Sequence, residues 1–186
     1  MRTVGIMGFA TLLAVSASTA DARQRAGVTL PNFVNLGGKK LVLNGLGIRE
    51  ATVFKINVYV AGLYLEKKAS DSSAIIMSDQ NKQLILHFVR DVDQDDLADA
   101  FTEGFEKNGG SALESKVKKL ASWMSDVEEG DRIELSYSPG KGTAVHVRGK
   151  KKGTVEGKDF ARVLFRIFLG PKPPNTSLRV GLLGTG

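Results

Sequence analysis

The sequence predicts an α+β domain in which a largely antiparallel sheet carries helices on one face. Three observations predict it. Strand-like runs rich in β-branched and aromatic residues, separated by polar loops at residues 67–73 and 79–82, recur over residues 28–91. The apolar period then lengthens to three or four residues over two adjacent segments between Asp93 and Val127. Short alternating segments separated by glycine turns resume at Arg132, and one more helical segment follows Gly157. Strands, two helices, hairpins and a helix in that order argue for segregated layers rather than repeating βα units.

Taken in order, residues 28–43 read as extended structure divided at Gly37-Gly38, and Asn44-Gly45 reads as a tight turn. Residues 49–54 and 56–65 read as strands with a kink near Lys55-Ile56-Asn57. Residues 74–77 fit either a short strand or a helical turn. In residues 83–91, Leu84, Leu86 and Phe88 share one face of a strand and Ile85 and Val89 the other. Asp93 is placed to cap a helix in which Leu97, Phe101 and Phe105 recur every four residues, and Asn108-Gly109-Gly110 ends it. Ser111 and Glu114 have the spacing of a capping box, and Leu113, Val117, Leu120, Met124 and Val127 form the stripe of a second helix. Residues 132–137 and 143–147 make a hairpin through Ser138-Pro139-Gly140-Lys141-Gly142. A second turn at residues 149–153 leads to a short strand at Thr154-Val155. Gly157 or Asp159 opens the last long helix, with Phe160, Val163, Leu164, Ile167 and Phe168 inward, and Gly170-Pro171 stops it. Residues 178–183 add one or two terminal helical turns.

Residues 1–22 have the three parts of a secretory leader: the positive Met1-Arg2, an apolar stretch over residues 3–17, and the small-x-small triplet Ala20-Asp21-Ala22. The apolar stretch is shorter than the roughly 20 residues a membrane helix requires. The expectation is therefore a signal peptide over residues 1–22 and one domain over residues 23–186, exported to a periplasm or beyond, with no stable membrane span.

The 186 residues are 42% hydrophobic and 25% charged, which suits one well-buried core. Cysteine is absent, so thiol catalysis and cysteine-ligated metals are excluded. The net charge of +6 is spread along the chain, and its densest run, Lys150-Lys151-Lys152, reads as a solvated hairpin tip. A nucleic-acid partner is not expected.

No nucleophile elbow, phosphate loop or zinc-protease helix occurs. His87 and His146 sit in strands without acidic or histidine neighbours at ligand spacing, and read as surface or half-buried strand residues. Asp91, Asp93, Asp95 and Asp96 stand where a helix begins, and complement its dipole. Neither a metal nor a cofactor is expected. The unusual feature is Arg49, a permanent charge opening a run of core-forming residues that also holds Tyr59 and Tyr64. Its partner is either a carboxylate of the chain, such as Glu50 or Glu103, or a ligand.

The motif Gly45-Leu46-Gly47-Ile48-Arg49, with Tyr59 ten residues on and Tyr64-Leu65 fifteen on, resembles the opening hairpin of the chalcone isomerase-like superfamily. Gly130-Asp131, Pro139-Gly140-Lys141-Gly142-Thr143, Gly157-Lys158-Asp159-Phe160-Ala161, Phe168-Leu169-Gly170 and Leu182-Leu183-Gly184 extend the resemblance over nearly all of residues 28–184, and it is nearest to the bacterial exported branch. The resemblance implies an open-faced β-sandwich. It implies one of two activities. In the plant enzymes the arginine steadies an oxygen anion during ring closure, helped by a threonine on the next strand and by tyrosine, lysine and asparagine on later helices. In non-catalytic relatives the arginine and a tyrosine hold a fatty-acid carboxylate whose tail lies in an apolar cleft between sheet and helices. Arg49 matches the shared arginine. Tyr59 stands where the enzymes have threonine, and no tyrosine or lysine lies between Asp91 and Phe105. The resemblance therefore implies a non-catalytic protein that binds a fatty acid or similar amphipathic carboxylate at Arg49 and Tyr59, with Tyr64 as a possible third residue. An intramolecular lyase acting on a phenolic or enone substrate, and an envelope module that binds a protein partner, are the alternatives.

Overall fold

A computed structural model describes residues 22–51 and 54–185. The leader expected over residues 1–22 therefore lies, except for Ala22, outside the described residues. Two hairpin strands, β1 (Ala22–Arg25) and β2 (Val28–Pro31), form a small sheet of their own. The main sheet is a seven-stranded antiparallel meander in chain order. It comprises β3 (Phe33–Leu36), β4 (Lys39–Ala51), β5 (Ile56–Leu65), β6 (Lys82–Phe88), β7 (Arg132–Ser138), β8 (Gly142–Val147) and β9 (Lys150–Val155). Among the described residues the α-helices are α1 (Ser72–Met77), α2 (Gln94–Lys107), α3 (Glu114–Ala121), α4 (Lys158–Leu169) and α5 (Thr176–Leu183).

Strand alternation sorts side chains onto two faces. One face carries Ala61, Leu63 and Leu65 of β5, Leu84, Leu86 and Phe88 of β6, Ile133 and Leu135 of β7, and Val145 and Val147 of β8. The helices cover this face. α4 contributes most, burying Phe160, Phe165 and Phe168 among others, and Phe105 of α2 stacks on Phe160 with ring centroids 4.9 Å apart. The second face is apolar near β3–β6, where the β1–β2 hairpin lays Val28 and Leu30 over a cluster of Leu41, Leu43, Val60, Tyr64 and Ile85. Farther along it turns polar: Arg132 Nε donates to His87 Nδ1 at 3.0 Å, and Gln83 reaches Glu134 at 3.3 Å. Both histidines sit half-buried on strands.

Several local expectations are corrected. Asn44-Gly45 is a bulge inside β4, not a turn. Its register shift lets Asn44 turn inward, where Nδ2 donates to the Leu182 carbonyl at 2.8 Å and Oδ1 accepts from the Ala69 amide at 2.8 Å. The capping box before α3 does not form. Residues 111–113 make a 3₁₀ turn, and α3 stops at Ala121, leaving Met124 and Val127 buried in the following loop. There Val127 bridges to Val92, and that pairing draws the chain out of the helix. Lys150-Lys151-Lys152 is the exposed start of edge strand β9, where lysines block further pairing. Residues 74–77 take the helical of their two expected forms, within α1, which is capped by the Asp71 carboxylate on the Ala74 amide at 3.0 Å.

The last turn of α1 has an unusual cap. Lys82 is only 1% exposed, and its Nζ donates to the carbonyls of Ile75 at 2.8 Å, Ser78 at 2.9 Å and Ile76 at 3.4 Å. The rings of Tyr137 and Phe165 flank it. These carbonyls are the acceptors a helix end leaves open, so the buried cation is solvated by backbone instead of water.

Candidate site at Arg49

β4 carries glycine at 45 and 47 and arginine at 49, all on the helix-covered face. The glycines are there because α5 lies directly on the strand. A Cβ on Gly45 would stand 2.1 Å from the Gly181 carbonyl oxygen, and one on Gly47 would stand 2.2 Å from that of Leu178. The helix runs from Gly184, over Gly45, back toward its first residues as the strand runs forward to Arg49. Arg49 is thus the first full side chain on this face of β4 beyond the bed of α5.

Arg49 and Tyr59 are Cα partners in the β4–β5 ladder, so their side chains leave the same face side by side. Tyr59 is half-buried and packs edge-on against Phe88, with centroids 5.5 Å apart. Burial raises the pKa of its hydroxyl well above the ordinary tyrosine value, and the Arg49 charge opposes part of that rise. Among the described residues this hydroxyl has no hydrogen-bond partner. The Arg49 guanidinium donates to the backbone carbonyl of Glu50, and no carboxylate of the described residues pairs with it. The two carboxylates expected as rivals are engaged elsewhere. Glu50 accepts from Ser177 Oγ at 2.7 Å, and Glu103 pairs with Lys107 along α2.

Tyr64 is not part of this group. It points to the opposite face, fully buried under the β1–β2 hairpin, with its hydroxyl donating to the Pro31 carbonyl at 2.8 Å. The odd spacing between Tyr59 and Tyr64 sends them to opposite sides of the strand.

A third residue at the site escaped the sequence reading. Asn175 is the N-cap of α5, yet its side chain makes no capping bond. Instead Nδ2 donates to the Ile48 carbonyl at 3.0 Å, which is the peptide unit leading into Arg49, and to Ser177 Oγ at 2.6 Å. Oδ1 is buried without a partner. The Pro173-Pro174-Asn175 stretch carries the signal of a helix start, but the terminal helix was expected only from residue 178.

The apolar interior begins at the site. Val58, Tyr59 and Val92 are among the partly buried residues packed against the main core, and Tyr59 lies against the buried Phe88. A cavity of about 320 Å³ lies at the far end of the sheet, bounded by Asp79, Tyr137, Lys141, Glu156 and Lys158, and does not adjoin Arg49. Tyr137 donates to Asp79 there at 2.6 Å, and burial together with that carboxylate pushes its pKa up to about 12. Among the described residues no cluster of side chains suits a metal ion, and no helix is long and apolar enough to cross a membrane.

The chalcone isomerase-like family model matches residues 22–184, and the chain belongs to that family. No curated protein matches it significantly. Among solved structures it is similar to a fatty-acid binding protein of Arabidopsis thaliana, AtFAP1. That match has a TM-score of 0.72 at 17% identity, and covers 88% of this chain and 96% of the other. The likeness shows a shared fold.

Proposed function

We propose that the chain binds the carboxylate of a fatty acid or similar amphipathic acid at Arg49 and Tyr59, without catalysis, after export by its N-terminal leader. One observation carries this reading: a guanidinium and a phenol stand side by side at the rim of the apolar core, and no carboxylate of the described residues engages either. A guanidinium offers a planar fork that matches a carboxylate, and the phenol adds a further donor. Hydrogen bonds of this charge-assisted kind contribute roughly 1.5–3 kcal/mol each. A tail entering past Val58 and Val92 adds about 0.8 kcal/mol per buried methylene. The fold neighbour's own fatty-acid binding supports the same reading. Tyr59 in place of the enzymes' threonine, and an α2 without tyrosine and with lysine only at its last residue, favour binding over ring-closing chemistry.

Native mass spectrometry of the protein purified from cells tests it. The expected result is a co-purifying mass in the fatty-acid range that is lost in Arg49→Ala. An empty protein, or one whose cargo survives that substitution, overturns the assignment.

A further inference from the structure

The head group of a plain fatty acid offers only acceptors at neutral pH, and Arg49 and Tyr59 are matched to it as donors. Asn175 is not. Its amide orientation is set by the Ile48 carbonyl, which accepts and cannot donate, so the nitrogen faces the sheet and Oδ1 is the free end. That oxygen is an acceptor, it is buried, and no group of the described residues donates to it. An N-cap asparagine ordinarily turns this oxygen to the first amides of its helix, and here it does not. Buried acceptors are seldom left unpaired, because the acceptor's lost hydration is then not replaced.

We infer that Asn175 selects a ligand with a hydrogen-bond donor close to its acid group, namely a fatty acid hydroxylated on the second or third carbon. The inference rests on the carboxylate site at Arg49 and Tyr59. The geometry supports the short spacing, because the Asn175 amide is bonded to the peptide unit immediately before Arg49. The hydroxyl hydrogen goes to Oδ1 while the carboxylate oxygens face Arg49 and Tyr59. An unsubstituted acid fills the same head site and leaves Oδ1 unpaired.

Calorimetric titration of the delipidated protein with tetradecanoate, 2-hydroxytetradecanoate and 3-hydroxytetradecanoate tests this. One of the hydroxy acids is expected to bind about ten-fold more tightly than tetradecanoate, the gain of one buried bond to an otherwise unpaired acceptor. In Asn175→Ala that ratio is expected to fall to near one. Loosening of α5 would weaken all three acids together and leave the ratio unchanged, so the ratio isolates the role of Oδ1. Equal affinities for the three acids in the native protein would overturn the inference while leaving the carboxylate site standing, with water serving Oδ1. Failure of all three acids to bind would overturn both.

Discussion

The backbone of Leu178 presses on Gly47 so closely that a single added carbon would lie 2.2 Å from its carbonyl oxygen. The relationship fixes where α5 lies along β4, and therefore where the helix stops and Arg49 begins. Gly47→Ala is expected to lower stability by about 1–3 kcal/mol, as overpacking against a rigid partner does. The urea midpoint is the readout. Gly181→Ala, whose Cβ would stand 2.3 Å from the Leu46 carbonyl oxygen, should cost a similar amount.

Removal of the charge at the site should cost affinity and spare the fold. Arg49→Ala is expected to weaken tetradecanoate binding by roughly ten- to hundred-fold, the loss of one or two charge-assisted bonds. Arg49→Lys should recover only part of it, since an ammonium lacks the planar fork. Urea midpoints of both variants are expected within about 0.5 kcal/mol of the native protein. A large stability loss with unchanged affinity would mark Arg49 as structural.

The two tyrosines make opposite predictions. Tyr59→Phe removes a hydroxyl that no described residue engages, so it should weaken ligand binding with little change in stability. Tyr64→Phe deprives the Pro31 carbonyl of its donor under the β1–β2 hairpin. It should cost about 0.5–1.5 kcal/mol of stability and leave affinity unchanged. Paired melting and binding measurements on the two variants check the assignment of faces.

Lys82 gives a pH dependence of definite sign. Burial lowers its pKa from 10.5 to about 8, with Asp79 opposing. Below pH 8 the folded and unfolded chains both hold the proton. Between pH 8 and 10.5 only the unfolded chain does, so this group adds to stability as pH rises through that window. The neutral amine retains two donors for the three carbonyls. The native protein is therefore expected to gain about 1–3 kcal/mol relative to Lys82→Met between pH 7.5 and 10.5, followed by urea unfolding across that range. A constant or shrinking difference would show that the carbonyls hold the ammonium charged.

Periodicity carried most of the architecture. The stripes Leu97-Phe101-Phe105 and Phe160-Val163-Leu164-Ile167-Phe168 are the buried faces of α2 and α4, and alternation in residues 83–89 sorted β6 onto two faces. Where the reading failed, a distant partner decided. Asn44-Gly45 has turn chemistry, yet α5, more than 130 residues away in sequence, lies on the strand there and binds the bulged asparagine. Met124 and Val127 keep a helical spacing, but the Val92–Val127 bridge ends the helix first. At the site, Arg49 stood out because a fixed charge in an apolar run needs an explanation. Its pairing with Tyr59 depends on where the hairpin turns, and its proximity to Asn175 on how the last helix returns. Neither is written in local sequence.

The contact between α5 and β4 has a consequence for kinship. The helix meets the strand through main-chain atoms, so an outward residue such as Thr176 is free to drift among descendants. The strand has no such latitude, because any side chain at 45 or 47 lifts the helix away. Lineages that keep this binding corner should be traceable by two tiny residues and a cation on one strand, answered by one tiny residue, Gly181, on the helix that lies across it.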